Sequence, residues 1–127
     1  MPSGEAFTEA QEHDLTRALA TACAETGLHF SAFVGSADGD LRRYAERLHA
    51  ALGARAPEGV LIFVSPAQRR VEVVVGREAR HRIDDRACAL AALSMCSAFG
   101  GGDLTGGLLT GVRMLVETAG AAEAVPA

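Results

Sequence analysis

Residues 59–76 read GVLIFVSPAQRRVEVVVG, and this stretch decides the fold. Residues 60–64 are all apolar, which is typical of a strand that is covered on both faces. Pro66 opens a short polar turn, because its ring presets the φ angle that a turn needs. Residues 71–75 are again mostly β-branched, and Gly76 closes the run. The stretch therefore predicts two consecutive central strands that pair as a hairpin.

Two helices and a strand are predicted before this hairpin. Thr8 and Gln11 have the spacing of a capping box, and one coherent apolar face then continues to about Glu25. Residues 29–34 form a first strand, and a helix capped by an Asp follows from about residue 40 to residue 52. The chain therefore begins with the order helix, strand, helix.

Two more helices are predicted after the hairpin. Asp84 or Asp85 caps a helix from about 86 to 99, and Asp103 caps the last one, which ends near Ala119. Because the first of these carries no charge beyond its start, we expect it to be the most buried helix. The large apolar residues that we expect it to bury are Leu90, Leu93 and Met95.

This order of elements predicts an α/β fold, an α/β/α sandwich with a small mixed sheet of three to four strands and helices on both faces. The first two strands are expected to be parallel, joined by a right-handed crossover, and the third is antiparallel to both. A chain of 127 residues supports one domain. We place its core at about 7–119 and predict a disordered tail at 120–127.

The charge of the chain limits the partners that it can bind. The formal net charge is −4, and a nucleic-acid binder needs a basic surface, so we expect no nucleic-acid partner. All 12 basic residues are arginines. A local cluster of them could attract an anion, although a solvated face is the favoured interpretation. Its members are Arg77, Arg80, Arg82 and Arg86.

The cysteines and the apolar runs indicate a cytoplasmic protein without a membrane span. Cys88 and Cys96 would lie about 12 Å apart along one helix, which is too far for a disulfide. Together with Cys23 they are expected to be free thiols in a reducing compartment. The uncharged stretch 87–102 is shorter than the roughly 20 residues of a membrane helix, and the amino terminus has no signal-peptide pattern.

Carboxylates in the predicted loops are candidate metal ligands. Asp38 and Asp40 follow the first strand, and Asp84 and Asp85 precede a later helix. These four could bind Ca²⁺ or Mg²⁺ if the chain between residues 77 and 83 returns to the same edge of the sheet. The alternative is that they are helix caps and turn residues. No organic cofactor and no catalytic residue is predicted, because the four His residues are scattered and no nucleophile motif is present.

The hairpin, the Asp84-Asp85 region and the segment Phe99–Leu108 resemble the TPM-domain family, which includes thylakoid-lumen and membrane-associated members. An uncharacterised actinobacterial branch is the most similar. The resemblance covers about residues 5–119 and implies an α/β/α sandwich. It also implies that acidic loops at one end of the sheet bind a divalent cation and that some members are weak acid phosphatases. This chain departs from the family near Pro2, where the family has an Asp.

Two functions follow from these observations. The first is a non-catalytic binding or adaptor module that contacts an unidentified protein partner, as the lack of a catalytic nucleophile and of a general-base His indicates. The second is a divalent-cation-binding domain with weak or vestigial phosphomonoesterase activity, which rests on the four Asp residues. The sequence leaves open whether the protein is an enzyme.

Overall fold

The computed structural model describes residues 7–122, and within them four α-helices pack on a three-stranded sheet. The helices are α1 (Glu9–Thr26), α2 (Leu41–Ala50), α3 (Asp85–Gly101) and α4 (Leu104–Ala119). The strands are β1 (His29–Val34), β2 (Gly59–Ser65) and β3 (Arg70–Val75). Two short 3-10 helices, Gly53–Glu58 and Ala79–His81, lead into β2 and follow β3.

The sheet has the predicted mixed topology. Its strand order is β1-β2-β3, with β1 parallel to β2 and β3 antiparallel to β2. Every residue of the central strand β2 is buried, as its uninterrupted apolar run predicts. The prediction of a small α/β fold with a mixed sheet is therefore confirmed, with three strands.

The two faces of the sheet are covered by different helices. Helices α1, α3 and α4 cover the larger core, and α2 alone covers a smaller one. Because successive strand residues point to opposite faces, Ile62 enters the larger core while Leu61 and Phe63 enter the smaller one. The arrangement is an α/β/α sandwich.

Helix α3 is not the most buried helix, and that prediction was wrong. Its inner face buries Cys88, Ala91 and Met95, but Leu90 and Leu93 are 50% and 69% exposed. A charge-free helix can still present one apolar face to solvent, because single exposed leucines are ordinary on protein surfaces. The absence of charge therefore did not predict burial.

Replacing Leu93 by Ala is expected to change the free energy of unfolding by less than about 0.5 kcal/mol, as for other exposed positions. Urea unfolding measures the effect, and Leu108→Ala is the control that must lose stability because that side chain is 1% exposed. A loss above about 2 kcal/mol at residue 93 would be typical of a core position and would show that this face of α3 is covered in solution.

Arg82 joins the carboxyl ends of α1 and α4. Its guanidinium donates to the carbonyl oxygens of Thr26 at 2.6 Å, Ala119 at 3.1 Å, Gly120 at 2.8 Å and Ala121 at 3.1 Å. The last carbonyls of a helix have no intrahelical donor, and a cation there is favourable to the helix dipole. The interpretation of Arg82 as part of a solvated face was therefore wrong.

The start of the predicted tail is also held in place. The N–H of Ala122 donates to the carbonyl of Glu25 at 2.7 Å, beside the bonds from Arg82 to residues 120 and 121. Residues 120–122, the start of the predicted tail, are therefore hydrogen-bonded to the rest of the chain, whereas residues 123–127 lie outside its described part.

Arg82→Ala is expected to lower the free energy of unfolding by about 2 kcal/mol, because hydrogen bonds from a charged donor are lost at two helix ends. Chemical denaturation measures the change. Arg77→Ala is the matched control, since Arg77 is exposed, and it is expected to cost less than about 0.5 kcal/mol. Equal losses in the two variants would contradict the assignment of Arg82 as the link between the helices.

Candidate functional site

Three aspartates that stand directly before helices are helix caps. Asp40 accepts the N–H of Arg43 at 3.2 Å and begins α2. Asp84 accepts the N–H of Ala87 at 2.9 Å and begins α3. Asp103 caps α4 in the same way. These bonds satisfy N–H groups that have no partner within the helix.

The other two predicted ligands are exposed. Asp38 lies in the loop after β1 and, with Asp40, lines a depression of about 160 Å³ that also contains two arginines. Asp85 lies in the first turn of α3 and lines a different groove. The four predicted ligands therefore form two separate pairs. Asp38 lies near Asp40, and Asp84 and Asp85, which are adjacent in sequence, lie elsewhere.

The topology explains why the four carboxylates do not meet. Gly76 bonds to Gly59 at the amino end of β2, and Arg82 bonds to Thr26 just before β1 begins. The segment between them therefore stays at the end of the sheet opposite to the loop that carries Asp38. Within residues 7–122, no three His, Cys, Asp or Glu side chains are placed to hold a metal ion. Binding of Ca²⁺ or Mg²⁺ stays a prediction without a formed group of ligands.

Asp84→Ala is expected to lower the free energy of unfolding by about 1 kcal/mol, as for other N-cap substitutions. Thermal or urea unfolding measures the loss. Asp38→Ala is the matched control, because this exposed side chain caps no helix, and its stability should not change. If both variants were equally stable, the capping bond of Asp84 would not contribute to stability.

The free edge of β3 is the most informative surface of the sheet. The N–H of Gly76 donates to the carbonyl of Gly59 at 2.9 Å, which makes this a bonded pair of the antiparallel ladder. Bonded and non-bonded pairs alternate along such a ladder. The register then directs the N–H and C=O groups of Val71, Val73 and Val75 away from β2.

Two arginines cover the outward carbonyls of this edge. Arg42 of α2 donates to the carbonyl of Val73 at 2.9 Å, and Arg80 donates to that of Val75 at 3.3 Å. The outward N–H groups of Val71 and Val73 have no hydrogen-bond partner within residues 7–122. The edge therefore presents free donors, whereas two of its acceptors are occupied by guanidinium groups.

A groove of about 550 Å³ runs along this edge between α2 and α3. Residues 71–73 of β3 form its floor and Arg42 one wall. The other wall is formed by α3, which contributes Asp85, Cys88, Ala89 and Ala92. Because the α3 residues in this wall are mostly small, the backbone edge stays open between the two helices.

The groove contains a thiol, but this thiol is not poised for catalysis. Burial, together with the nearby carboxylate of Asp85, raises the pKa of Cys88 to about 11. The thiol is therefore protonated at neutral pH, whereas a nucleophilic cysteine needs the thiolate.

Charge is concentrated around β3. Residues 69–86 contain six of the 12 arginines and four carboxylates, in a chain whose net charge is −4. Glu72 is already paired, at 3.4 Å to Arg42 and 2.7 Å to Arg70. Residues 69–86 therefore carry a net charge of +2 in a chain that is acidic as a whole.

A second groove of about 380 Å³ lies between α1 and α4. Its apolar floor is flanked by charges of both signs, including Asp14, Arg17, Glu25 and Arg113. It offers no free backbone groups of a strand and no dominant charge. The edge of β3 is therefore the better candidate for a binding site.

Sequence reasoning missed this site. Arginines on either side of the β3 sequence were visible, but the cluster after β3, residues 77–86, was interpreted as a solvated face. Their repeated position at both ends of a strand is the signal that could have indicated an edge strand, since edges are commonly protected by charged side chains.

Residues 1–116 match the model of a family described as a domain of unknown function, DUF5130. The chain belongs to the DUF5130 family. Two uncharacterised proteins of Mycobacterium tuberculosis are each 41% identical to this DUF5130 chain over 56 residues, namely MT2543 of strain CDC 1551 / Oshkosh and Rv2468c of strain ATCC 25618 / H37Rv. The match covers 44% of this chain and 34% of each relative, so the chain spans about a third of the length of these relatives.

Solved structures share the fold at low sequence identity. The BA42 protein of Bizionia argentinensis has a TM-score of 0.78 at 16% identity, over 89% of this chain and 81% of that one. The N-terminal domain of a P. gingivalis protein has a TM-score of 0.76 at 20% identity, over 88% and 75%. The N-terminal domain of cg2496 from Corynebacterium glutamicum has a TM-score of 0.73 at 15% identity, over 89% and 74%. At these identities, the likeness shows the fold of DUF5130 and nothing of its function.

None of the helices within residues 7–122 combines the length and the apolar character that crossing a membrane requires. The cytoplasmic location and the TPM resemblance stay predictions.

Proposed function

We propose that this chain is a non-catalytic binding module that accepts an extended segment of a partner protein along the free edge of β3. The observation that carries the proposal is the set of outward N–H groups at Val71 and Val73, which lie unpartnered on the floor of an open groove. Addition of a strand to a sheet edge is a common mode of peptide recognition, in which backbone hydrogen bonds supply the affinity.

The shape of the groove supports a strand as the ligand. A fourth strand would lie about 4.8 Å from β3, between Arg42 on one side and Ala89 and Ala92 of α3 on the other. Small side chains on α3 leave room for the side chains of that strand. The volume of about 550 Å³ is within the range of ligand sites, about 300–1,000 Å³.

The chemistry of the groove supports binding rather than catalysis. Its thiol has a raised pKa, and its carboxylate Glu72 is held by two arginines. The proposal retains the α/β/α sandwich that the TPM resemblance implies. It needs neither the divalent cation nor the phosphatase activity that the resemblance also implies.

Selection from a displayed library of random short peptides tests this proposal. We expect the wild-type chain to enrich peptides that bind it and that lose binding to the variant Val73→Pro. Proline removes the outward N–H of residue 73, yet no bond to β2 is lost, because that N–H points away from the ladder. Thermal unfolding and the amide spectrum of the variant show whether it keeps the fold.

Ala89→Trp is a second variant, which fills the groove from an exposed position of α3 and leaves β3 unchanged. Thr110→Trp is its control, because Thr110 is exposed on α4, outside the groove. The proposal is wrong if no peptide is enriched, or if the enriched peptides bind the groove variants as tightly as the wild type.

A further inference from the structure

We propose that the groove selects extended segments that carry two carboxylate side chains at alternate positions, which bind Arg42 and Arg80. This inference rests on the proposed function and names the chemistry of its partner. It follows from the two outward carbonyls that arginines cover, those of Val73 and Val75, and from the distribution of charge around β3.

Two of the outward carbonyls of β3 are already occupied by arginines. A strand added to β3 brings its own N–H groups to the outward carbonyls of the edge. Those of Val73 and Val75 already accept from Arg42 and Arg80, at 2.9 and 3.3 Å. The incoming strand therefore competes with both guanidinium groups for these carbonyls, and a guanidinium that is displaced needs a new acceptor.

A displaced arginine needs an acceptor on the partner. Arg42 keeps Glu72 and Glu46 as neighbours, at 3.4 and 3.3 Å, but the short bond of its Nη1 to Val73 is lost. Arg80 has its one side-chain hydrogen bond within residues 7–122 to Val75. A carboxylate on the partner replaces each lost bond by a stronger, charge-assisted one. A neutral segment offers at most an uncharged acceptor, such as an amide oxygen, whose bond to a guanidinium is weaker.

The spacing of the two covered carbonyls predicts the spacing of the carboxylates on the partner. The two covered carbonyls belong to residues two apart in β3, and side chains on one face of a strand recur every two residues, about 6.8 Å. Two carboxylates at alternate positions of the added strand therefore match the two arginines. Asp85 lines the groove at the start of α3 and disfavours a third carboxylate beside it.

The distribution of charge along the chain also favours an acidic partner. Residues 69–86 carry six arginines and four carboxylates, whereas the rest of the chain carries six arginines and 12 carboxylates. An acidic segment is therefore attracted to the β3 region, whose net charge is +2, more than to the remainder of the chain, whose net charge is −6. This arrangement guides an acidic partner toward the groove.

Calorimetry with two synthetic peptides tests the inference. The probes are acetyl-Thr-Val-Glu-Val-Glu-Val-Thr-amide and its analogue with Gln in place of both Glu residues. We expect the Glu peptide to bind at least about tenfold more tightly than the Gln peptide, a difference that corresponds to about 1.4 kcal/mol. The paired variant Arg42→Gln, Arg80→Gln is expected to abolish this preference, because the freed carbonyls then accept either peptide.

A matched pair of variants at Ala89 reports the sign of the charge. Ala89 is exposed on the α3 wall, so neither substitution disturbs the core. We expect Ala89→Glu to weaken the Glu peptide several-fold and Ala89→Arg to strengthen it, with little effect of either on the Gln peptide. Thr110→Glu, outside the groove, is the control for a change of net charge.

The outcomes separate the two proposals. If neither peptide binds, this inference is overturned, whereas the binding function is overturned only if the peptide library also yields no binder that depends on residue 73. If both peptides bind equally and both lose binding to Val73→Pro, the function stands and the acidic preference is wrong. A Glu preference that survives Val73→Pro would place the recognition away from the edge and overturn both. If the chain self-associates and Val73→Pro abolishes this self-association, a second copy of the chain is the occupant of the groove. The inference of an acidic partner is then overturned.

Discussion

Phe63→Ala is expected to lower the free energy of unfolding by about 3–5 kcal/mol, the range for truncating a buried aromatic side chain. Phe63 is 2% exposed and lies in the smaller core beneath α2. Its ring meets that of Tyr44 edge to face, with 5.3 Å between the centroids. Because α2 covers the sheet without help from another helix, the cavity has few neighbours that can move in to fill it. Urea unfolding measures the loss.

Phe33→Ala is the matched control for this prediction. Phe33 of β1 pairs in register with Phe63 and points to the same face of the sheet, yet it is 42% exposed because α2 packs over β2 and β3. The same atoms are removed at neighbouring positions, so the difference between the two variants measures cover by α2. Losses of similar size would show that the position of α2 over the sheet is incorrect.

The sequence was sufficient to predict the sheet because its central strand is apolar at every position between Val60 and Val64. Such a run is stable only with cover on both faces, which requires helices on both sides. The connection lengths then determined the strand directions, since the short turn after Ser65 permits only an antiparallel neighbour. These inferences depend on local patterns and on short connections.

The outer face of α3 could not be predicted in the same way. Its sequence shows that Leu90 and Leu93 are apolar, but not whether another element covers them. Helix α4 packs against α3 through Gly107 and Gly111, which face Ala98 and Met95 on another side of that helix. Burial of a helix face depends on where its neighbours lie, and this is a property of the tertiary structure.

The candidate site was missed for a related reason. The sequence shows arginines on both sides of β3, but the hydrogen-bonding register decides which backbone groups face outward. One residue of slip would turn Val73 toward β2 and expose the groups of its neighbours instead. Likewise, the predicted aspartates lie at two ends of the sheet because the segment after Gly76 stays near the start of β1 and β2.

Gly76→Ala is expected to lower the free energy of unfolding by more than about 3 kcal/mol, at the upper end of the costs of overpacking. A Cβ at residue 76 would lie 2.5 Å from the carbonyl oxygen of Pro57 and closer still to that of Ala56. Both obstacles are backbone atoms of the 3-10 helix before β2, so no side chain can rotate away. The end of β3 and this 3-10 helix must separate.

That separation would strain two hydrogen bonds that hold the same crossing. Gly76 donates to Gly59, and Glu78 donates to Pro57, each at 2.9 Å. Gly100→Ala is the matched control, because nothing lies within 4 Å of a Cβ there and the residue is in α3. It is expected to gain up to about 1 kcal/mol from the better helix propensity of Ala. If Gly76→Ala unfolded at the urea concentration of the wild type, the close crossing of β3 and the 3-10 helix would not exist in solution. The position of Arg80, which lines the proposed binding groove at the adjoining edge, would then also be incorrect.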